Sequence, residues 1–234
     1  MKVYCINLKR STDRRAKMEA ELGNLGLPFD FLDAVDGRLL TRGEKRAAYS
    51  HWRALCRHGL GLTAGEIGVA MSHCKFFEKI IANNESGFVV EDDVSFTAAS
   101  AMVFVEVEEF LKKEAGPTLV QLPGIDRELR SVKGLEGKFV KVQSAMGAYA
   151  YGVNPEGARL LLKFFTPIKQ PIDKYDYIIK HSGLNFFVYT KLALSVNMNG
   201  ESMVGDDRKR YTGWRLYLFR IWRCIGMLID RVVS

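Results

Sequence analysis

The chain has 234 residues, 47% of them hydrophobic and 26% charged, which predicts one globular domain with a sizeable core and a small appendage. Its four cysteines are scattered without a C-x-x-C pair, so neither a disulfide framework nor a zinc site is predicted. The formal net charge of +7 is typical of many nucleic-acid-binding proteins, but residues 208–234 carry +6 of it and the other 207 residues only +1. The charge distribution therefore disfavours a nucleic-acid partner.

The chain is predicted to begin with a strand and a helix. The apolar run at residues 2–8 predicts a buried strand, and a helix follows from about Thr12 to Leu22, with Ser11 or Thr12 as its cap. This apolar run is too short for a signal peptide, so we expect a cytoplasmic protein.

A second strand and a well-marked helix follow. The strand at Phe29–Ala34 leads to the turn-prone Asp36-Gly37, and polar residues with helical potential continue to about His58. Thr63 and Glu66 have the spacing of a capping box. Beyond them, apolar residues recur at helical spacing: Ile67, Ala70, Met71, Cys74, Phe77 and Ile81.

The second half of the chain continues the alternation of strands and helices. Strands are predicted at 87–90, Thr118–Leu122, Ala145–Val153 and Asn185–Tyr189. Helices are predicted near Ala99–Lys113, from the N-cap Asn154 onward with Pro155 at the first helical position, and at Ile172–His181. This order predicts an α/β fold of Rossmann type, with a mainly parallel sheet and helices on both faces.

The acidic triplet Glu91-Asp92-Asp93 is the strongest chemical feature of the sequence. It follows the apolar Phe88-Val89-Val90, so the three carboxylates lie where a strand leaves the sheet, at the edge where open α/β sheets bind ligands. Adjacent carboxylates repel one another unless a cation compensates them. The triplet therefore predicts a Mg²⁺ or Mn²⁺ site that can serve a diphosphate; the alternative is a solvated acidic turn.

Five motifs occur in one order along residues 3–180. They are Ile6-Asn7-Leu8-x-Arg10-x-x-x-Arg14-Arg15, Phe31-x-x-Ala34-Val35-Asp36-Gly37, Leu62-Thr63-x-Gly65-Glu66-Ile67-Gly68-x-x-x-Ser72-His73, Val89-x-Glu91-Asp92-Asp93-Val94 and Pro171-Ile172-Asp173. Together they resemble glycosyltransferase family 25, which contains lipooligosaccharide galactosyltransferases and collagen galactosyltransferases. The resemblance implies a GT-A-like fold over residues 1–207, a UDP-sugar donor (UDP-galactose most often), a divalent metal and inversion at the anomeric carbon.

The resemblance also implies roles for individual residues. Glu91 and Asp93 would hold the metal, and Asp92 would belong to the same site. Asn7, Arg10 and Arg14 would lie near the donor nucleotide, where arginine suits a diphosphate. The alternative is that Arg10, Arg14 and Arg15 form a solvated helix face, which is the favoured interpretation for Arg15.

Other residues of the motifs have two interpretations each. Asp36 would accept from the ribose or uracil, or simply form a turn. Ser72 and His73 are polar residues of an otherwise apolar helix; His73 faces the ligand or is a satisfied core histidine. Two tyrosines of the run Gly147-Ala-Tyr-Ala-Tyr-Gly152 would lie near the site, with core packing an equal explanation for at least one.

An inverting transfer needs a general base outside the metal cluster. Asp173 is the candidate, because it belongs to the last motif and closely follows a proline; its alternative role is a helix N-cap. Asp176 and Glu156 are the next candidates. The third metal ligand and the acceptor-binding residues would come from a stretch without a distinguishing motif that contains Asn197, Asn199, Glu201 and Asp206.

The C-terminal segment 208–234 predicts a basic amphipathic helix. Arg215, Arg220, Arg223 and Arg231 fall within one arc of roughly 160°, and apolar residues lie opposite. We expect this segment to contact an anionic membrane at the cytoplasmic face of the inner membrane, where a lipid-linked oligosaccharide acceptor would be present. A helix docked on the domain or on a second subunit is the alternative.

Three classes of function are compatible with parts of this sequence. An inverting galactosyltransferase of lipooligosaccharide or lipopolysaccharide assembly is favoured, with other UDP-sugar donors or acceptors as its variants. A basic nucleic-acid-binding protein is disfavoured by the nearly neutral body. A two-metal phosphohydrolase is disfavoured because four scattered histidines do not supply its ligands.

Overall fold

The computed structural model describes residues 1–124, 136–192 and 194–196. The chain forms two compact units. The first contains Met1–Ala34, Ser72–Lys163 and the described part of Asp173–Glu201, and the second contains Val35–Met71 and Phe164–Ile172.

Within the described residues, nine strands form two sheets, both in the first unit. The strands are β1 Lys2–Asn7, β2 Phe29–Asp33, β3 Gly87–Glu91, β4 Val94–Phe96, β5 Thr118–Gln121, β6 Phe139–Lys141, β7 Ala150–Val153, β8 Asn185–Tyr189 and β9 Leu194–Val196. The large sheet has the order β2-β1-β3-β7-β5-β8-β6, and β4 pairs with β9. Only β7 and β6 run against the other five strands, because β7 is antiparallel to β3 and β5, and β6 to β8.

The described helices lie between these strands. They are α1 Thr12–Asn24, α2 Arg42–Ala48, α3 His51–His58, α4 Ala64–Asn83, α5 Ser100–Lys113, α6 Pro155–Phe164 and α7 Asp176–His181. None of the helices in the described ranges is long and apolar enough to cross a membrane.

The large sheet is packed on both faces, as its apolar strands require. On one face, β1 and β3 pack with α1 and α5 in a cluster that includes Val3, Phe88 and Phe104. On the other face, the α4 residues Phe76 and Phe77 contact the ring of Tyr151 on β7. The predicted α/β class, with a mainly parallel sheet covered on both faces, is confirmed.

The second unit contains α2, α3 and the start of α4. Its predicted capping box is confirmed: the Thr63 N–H donates to Glu66 Oε2 at 2.8 Å, and the Glu66 N–H donates to Thr63 Oγ1 at 3.1 Å. Gly68 allows two backbone segments to approach closely, because a Cβ there would lie 2.5 Å from Val35 O and 2.6 Å from Gly37 N.

Several predicted boundaries differ from the structure. The predicted helix Ile172–His181 begins only at Asp176, and the predicted strand Ala145–Val153 begins only at Ala150. The polar stretch before His58 contains two helices, and the short strands β4, β6 and β9 were not predicted. Ser11 is the N-cap of α1 but makes no side-chain cap hydrogen bond. The predicted helix in 208–234 lies outside the described residues.

Candidate active site

The candidate site lies at the carboxyl ends of the parallel strands β1 and β3. Ile6 pairs with Glu91 in this register, so the ends of both strands meet at one edge of the sheet. β3 ends at Glu91, and Asp92 and Asp93 form the turn that leads to β4. The sequence prediction placed the triplet at this edge, and the structure agrees.

Asp92 is tied to the first strand and the first helix. Its Oδ2 accepts a hydrogen bond from Asn7 Nδ2 at 2.7 Å, and its Oδ1 accepts one from Arg14 Nη1 at 3.0 Å. The Asp92 side chain is only 13% exposed. Because both of its oxygens are engaged, Asp92 joins β1, α1 and the triplet.

The same contacts orient Asn7. The amide nitrogen must face the Asp92 carboxylate, which can only accept, and it also donates to Ser11 O at 3.3 Å. The amide oxygen, Oδ1, is then buried without a hydrogen-bond partner. A buried acceptor of this kind is available to a ligand or a water.

Glu91 is held by a fully buried histidine. His73 Nε2 lies 3.3 Å from Glu91 Oε1, and His73 Nδ1 lies 2.8 Å from the hydroxyl of Tyr151. Neither His73 nor Tyr151 is exposed. His73 therefore contacts the site through Glu91. It is a core histidine with hydrogen-bond partners on both ring nitrogens, and one of these partners is a carboxylate of the site.

Asp93 is the least compensated member of the triplet. It is half-buried, and its Oδ1 has no hydrogen-bond partner. Burial, followed by the charges of Glu91 and Asp92, raises the pKa of Asp93 to about 6, while Arg14 acts in the opposite direction. An orphaned, partly desolvated carboxylate oxygen beside a second carboxylate fits a hard divalent cation.

The described residues do not contain a complete metal cage. Across 1–124, 136–192 and 194–196, no group of three or more His, Cys, Asp or Glu side chains is arranged to hold a metal ion. Strand β9 pairs antiparallel with β4, so Val196 lies opposite Val94, the residue after Asp93. The stretch considered for a third ligand and for acceptor binding, with Asn197, Asn199, Glu201 and Asp206, lies outside the described residues.

Asp173, the predicted general base, is half-buried in the turn before α7. Its carbonyl oxygen accepts a hydrogen bond from Gly147 N at 3.0 Å. The alternative interpretation, a helix N-cap, is wrong, because Tyr175 occupies that position. After burial, the charges of Asp173 and Glu91 raise the pKa of the buried Tyr175, so both carboxylates are electrostatically close to one phenol.

The two reserve candidates for the base have other surroundings. Asp176 Oδ1 accepts from Ser144 Oγ at 2.7 Å and from Ala145 N at 3.0 Å, which gives it a structural role. Glu156 lines a cavity of ≈ 630 Å³ together with Met1 and Gly116. These neighbours precede β1 and β5, so Glu156 lies at the opposite edge of the sheet from the triplet.

The remaining predicted residues each have their own local surroundings. Arg10 is exposed in the turn before α1, and Ser72 is buried on α4. Asp36 belongs to the second unit, where its Oδ1 accepts from the backbone N–H of Arg38 at 3.1 Å, as in a turn. Arg15, expected on a solvated helix face, is half-buried with its guanidinium 4.0 Å from the centre of the Phe31 ring.

Sequence reasoning missed Tyr175. Its side chain is fully buried, and its hydroxyl has no hydrogen-bond partner within the described part of the chain. Its only mark in the sequence is its position two residues after Asp173. Of the two tyrosines in the run Gly147–Gly152, Tyr151 is a core residue, and Tyr149 is half-buried with its hydroxyl accepting from Gly124 N at 2.9 Å.

Comparison with known proteins identifies one family. The family model described as glycosyltransferase family 25 (LPS biosynthesis protein) matches residues 1–175. A glycosyltransferase 25 family member of Aedes aegypti is 30% identical over 181 residues, which cover 74% of this chain and 30% of the relative. Procollagen galactosyltransferase 2 of Homo sapiens is 26% identical over 237 residues, covering 91% of this chain and 38% of the relative. The chain thus spans about a third of the length of these relatives.

A solved structure also aligns along the chain. The galactosyltransferase LgtC, crystallised in complex with donor and acceptor sugar analogs, has a TM-score of 0.43 and 11% sequence identity, and the alignment covers 95% of each chain.

Proposed function

Since this chain belongs to glycosyltransferase family 25, we propose that it is an inverting, metal-dependent glycosyltransferase. It transfers galactose from UDP-galactose, in β linkage, to a saccharide of lipooligosaccharide or lipopolysaccharide. The observation that carries the proposal is the triplet at the carboxyl edge of the sheet: buried partners hold Glu91 and Asp92, and a buried oxygen of Asp93 lacks a partner.

Glu91 and Asp93 would hold a Mn²⁺ or Mg²⁺ ion. Both supply the hard oxygen ligands that these cations prefer, and a cation would offset the burial and the charge repulsion that raise the pKa of Asp93. When bound, the ion supplies positive charge that stabilises the departing UDP. Asp92 acts differently, because its two oxygens already accept from Asn7 and Arg14.

The end of β1 is proposed to meet the nucleotide of the donor. Asn7 Oδ1 is a buried acceptor without a partner, and a ribose hydroxyl or a uracil N–H can donate to it. Arg14 is 35% exposed, so its guanidinium can contribute positive charge toward a diphosphate while it also contacts Asp92. Arg10, which is exposed in the turn between β1 and α1, is proposed to contact the same diphosphate.

Asp173 is proposed to take the proton from the attacking hydroxyl of the acceptor. It is half-buried and is not used as a helix cap. Beyond the effect of burial, the charges of both Asp173 and Glu91 raise the pKa of Tyr175, which supports a position of Asp173 on the same side of the sheet as the triplet. A carboxylate outside the metal-binding pair is what an inverting displacement requires.

The acceptor is proposed to be lipid-linked. The description of the matching family as an LPS biosynthesis protein supports this acceptor class. Residues 208–234, with their net charge of +6, are proposed to bring the enzyme to anionic lipid at the cytoplasmic face of the inner membrane.

The test is UDP release from a panel of UDP-sugars, measured with Mn²⁺ or with EDTA and with truncated lipooligosaccharide as the acceptor. Wild type is compared with Asp93→Ala and with Asp30→Ala, an exposed carboxylate paired with Lys2 at the start of β1. We expect acceptor-stimulated release that requires metal, survives in Asp30→Ala and is lost in Asp93→Ala. If well-folded protein neither binds nor turns over any UDP-sugar, the proposed function is wrong.

A further inference from the structure

A chain of three side chains links the sheet core to the acidic triplet. The hydroxyl of Tyr151 on β7 lies 2.8 Å from His73 Nδ1 on α4, and His73 Nε2 lies 3.3 Å from Glu91 Oε1 at the end of β3. β7 pairs directly with β3, with Tyr151 opposite Val89. Two hydrogen bonds therefore connect β7, α4 and β3, and this hydrogen-bond network ends at Glu91, a proposed metal ligand.

The chemistry of the end groups fixes the direction of the hydrogen bonds. A carboxylate can only accept, so when the imidazole of His73 carries a single hydrogen, that hydrogen must be on Nε2 to bond Glu91. Nδ1 then carries the lone pair and must accept from the Tyr151 hydroxyl. Burial raises the pKa of Tyr151 well above its usual value, so this hydroxyl keeps its proton. The opposite tautomer would direct a nitrogen lone pair at the Glu91 carboxylate.

Packing restricts the imidazole to one orientation. The ring of His73 is nearly parallel to that of Tyr151, at 17° with 5.7 Å between the centroids, and neither side chain is exposed. Phe76 and Phe77 contact the same tyrosine ring. A rotation of the imidazole would disturb this close-packed cluster and would break both hydrogen bonds.

We propose that Tyr151 and His73 are positioning residues for Glu91. Tyr151 selects the Nε2–H tautomer of His73, and His73 holds Glu91 Oε1 in a single orientation toward the metal site. Neither residue is proposed to touch the substrate. The effect on metal binding rests on the proposed function, whereas the tautomer can be measured without it. Partners that orient metal ligands commonly change metal affinity by about 10–100-fold.

The test variant is Tyr151→Phe, which removes only the hydroxyl and keeps the stacked ring. The control is Tyr4→Phe, which also removes a buried tyrosine hydroxyl, one bonded to Asn83. The full chain, labelled with ¹⁵N-histidine and free of metal, is studied by long-range ¹H–¹⁵N correlation, which separates the two tautomers. His73→Gln assigns the His73 signal among the four histidines.

Wild type and Tyr4→Phe are expected to give the Nε2–H tautomer, and Tyr151→Phe a mixture. Mn²⁺ affinity, measured by the EPR signal of the free ion, is expected to fall about 10–100-fold in Tyr151→Phe but not in Tyr4→Phe, with kcat restored at saturating Mn²⁺.

Equal Mn²⁺ affinity in the two variants, or a wild-type His73 with its hydrogen on Nδ1, overturns the proposal. If wild type binds no Mn²⁺, the proposed function fails. The tautomer of His73 in wild type and in Tyr151→Phe then tests by itself whether Tyr151 orients His73. If Tyr151→Phe does not fold, the wild-type protein tests the proposal, which requires the Nε2–H tautomer of His73 and is overturned by the Nδ1–H tautomer.

Discussion

Replacing Asp93 by asparagine is expected to stabilise the metal-free protein at neutral pH. Burial and then the charges of Glu91 and Asp92 raise the pKa of Asp93 from 3.8 to about 6. At 1.36 kcal/mol per pKa unit this difference corresponds to about 3 kcal/mol against the ionised folded state. Asparagine keeps the shape and removes the charge. Because the site is only half-buried, solvent screening reduces the expected gain to about 2 kcal/mol.

The gain has a defined dependence on pH. The pKa of Asp93 is higher in the folded than in the unfolded chain, so the folded protein binds this proton more tightly. The wild type therefore loses stability as the pH rises from 3.8 to about 6, and the asparagine variant does not. The difference between the two proteins should be small near pH 4 and complete above pH about 7.

The measurement is urea unfolding in EDTA at a series of pH values, supported by thermal melts. A gain of about 2 kcal/mol corresponds to about 4–8 °C for a chain of this size. Asp176→Asn is the control with the opposite sign, because Asp176 accepts hydrogen bonds from Ser144 and Ala145 and its replacement should cost about 1 kcal/mol. An Asp93→Asn protein that is less stable than wild type at neutral pH, or a gain that does not vary with pH, would refute the reasoning.

Three further substitutions test other parts of the structure. Gly68→Ala should destabilise by about 1–3 kcal/mol in urea unfolding, because the new Cβ would lie 2.5 Å from Val35 O; unchanged stability would contradict this close approach. Arg14→Gln should lower kcat/KM for the UDP-sugar about 10-fold or more with little change in melting temperature, since Asp92 loses its charged donor. Thr63→Ala removes an acceptor of the capping box and should cost about 1 kcal/mol of stability without changing kcat; a large loss of activity would place Thr63 in the site instead.

Features that depend on neighbouring residues were predictable. The capping box before α4 has its partners three residues apart, and the N-cap of α6 is confirmed because Asn154 Oδ1 accepts from Gly157 N at 2.8 Å. The triplet was placed correctly because an apolar run such as Phe88-Val89-Val90 must cross the core before polar residues can emerge.

The different partners of the three triplet residues could not be predicted from the sequence. Asp92 contacts Asn7 and Arg14, which are 85 and 78 residues away along the chain, and His73 contacts Tyr151 at a separation of 78. Three adjacent carboxylates look equivalent in the sequence. Only their partners make Asp92 a link to α1, orient Glu91 through His73 and leave the half-buried charge of Asp93 without compensation.

The sequence by itself determined the class of fold, the edge of the sheet that carries the acidic residues and the family, because hydrophobic period, cap spacing and ordered motifs are local properties. The tertiary structure decided which oxygens are already bonded and which are available. It set the half-burial that raises the pKa of Asp93 and the stacking that fixes His73. These quantities depend on distances between residues remote in the chain, and parallel pairing of β1 with β3 is what brings those residues together.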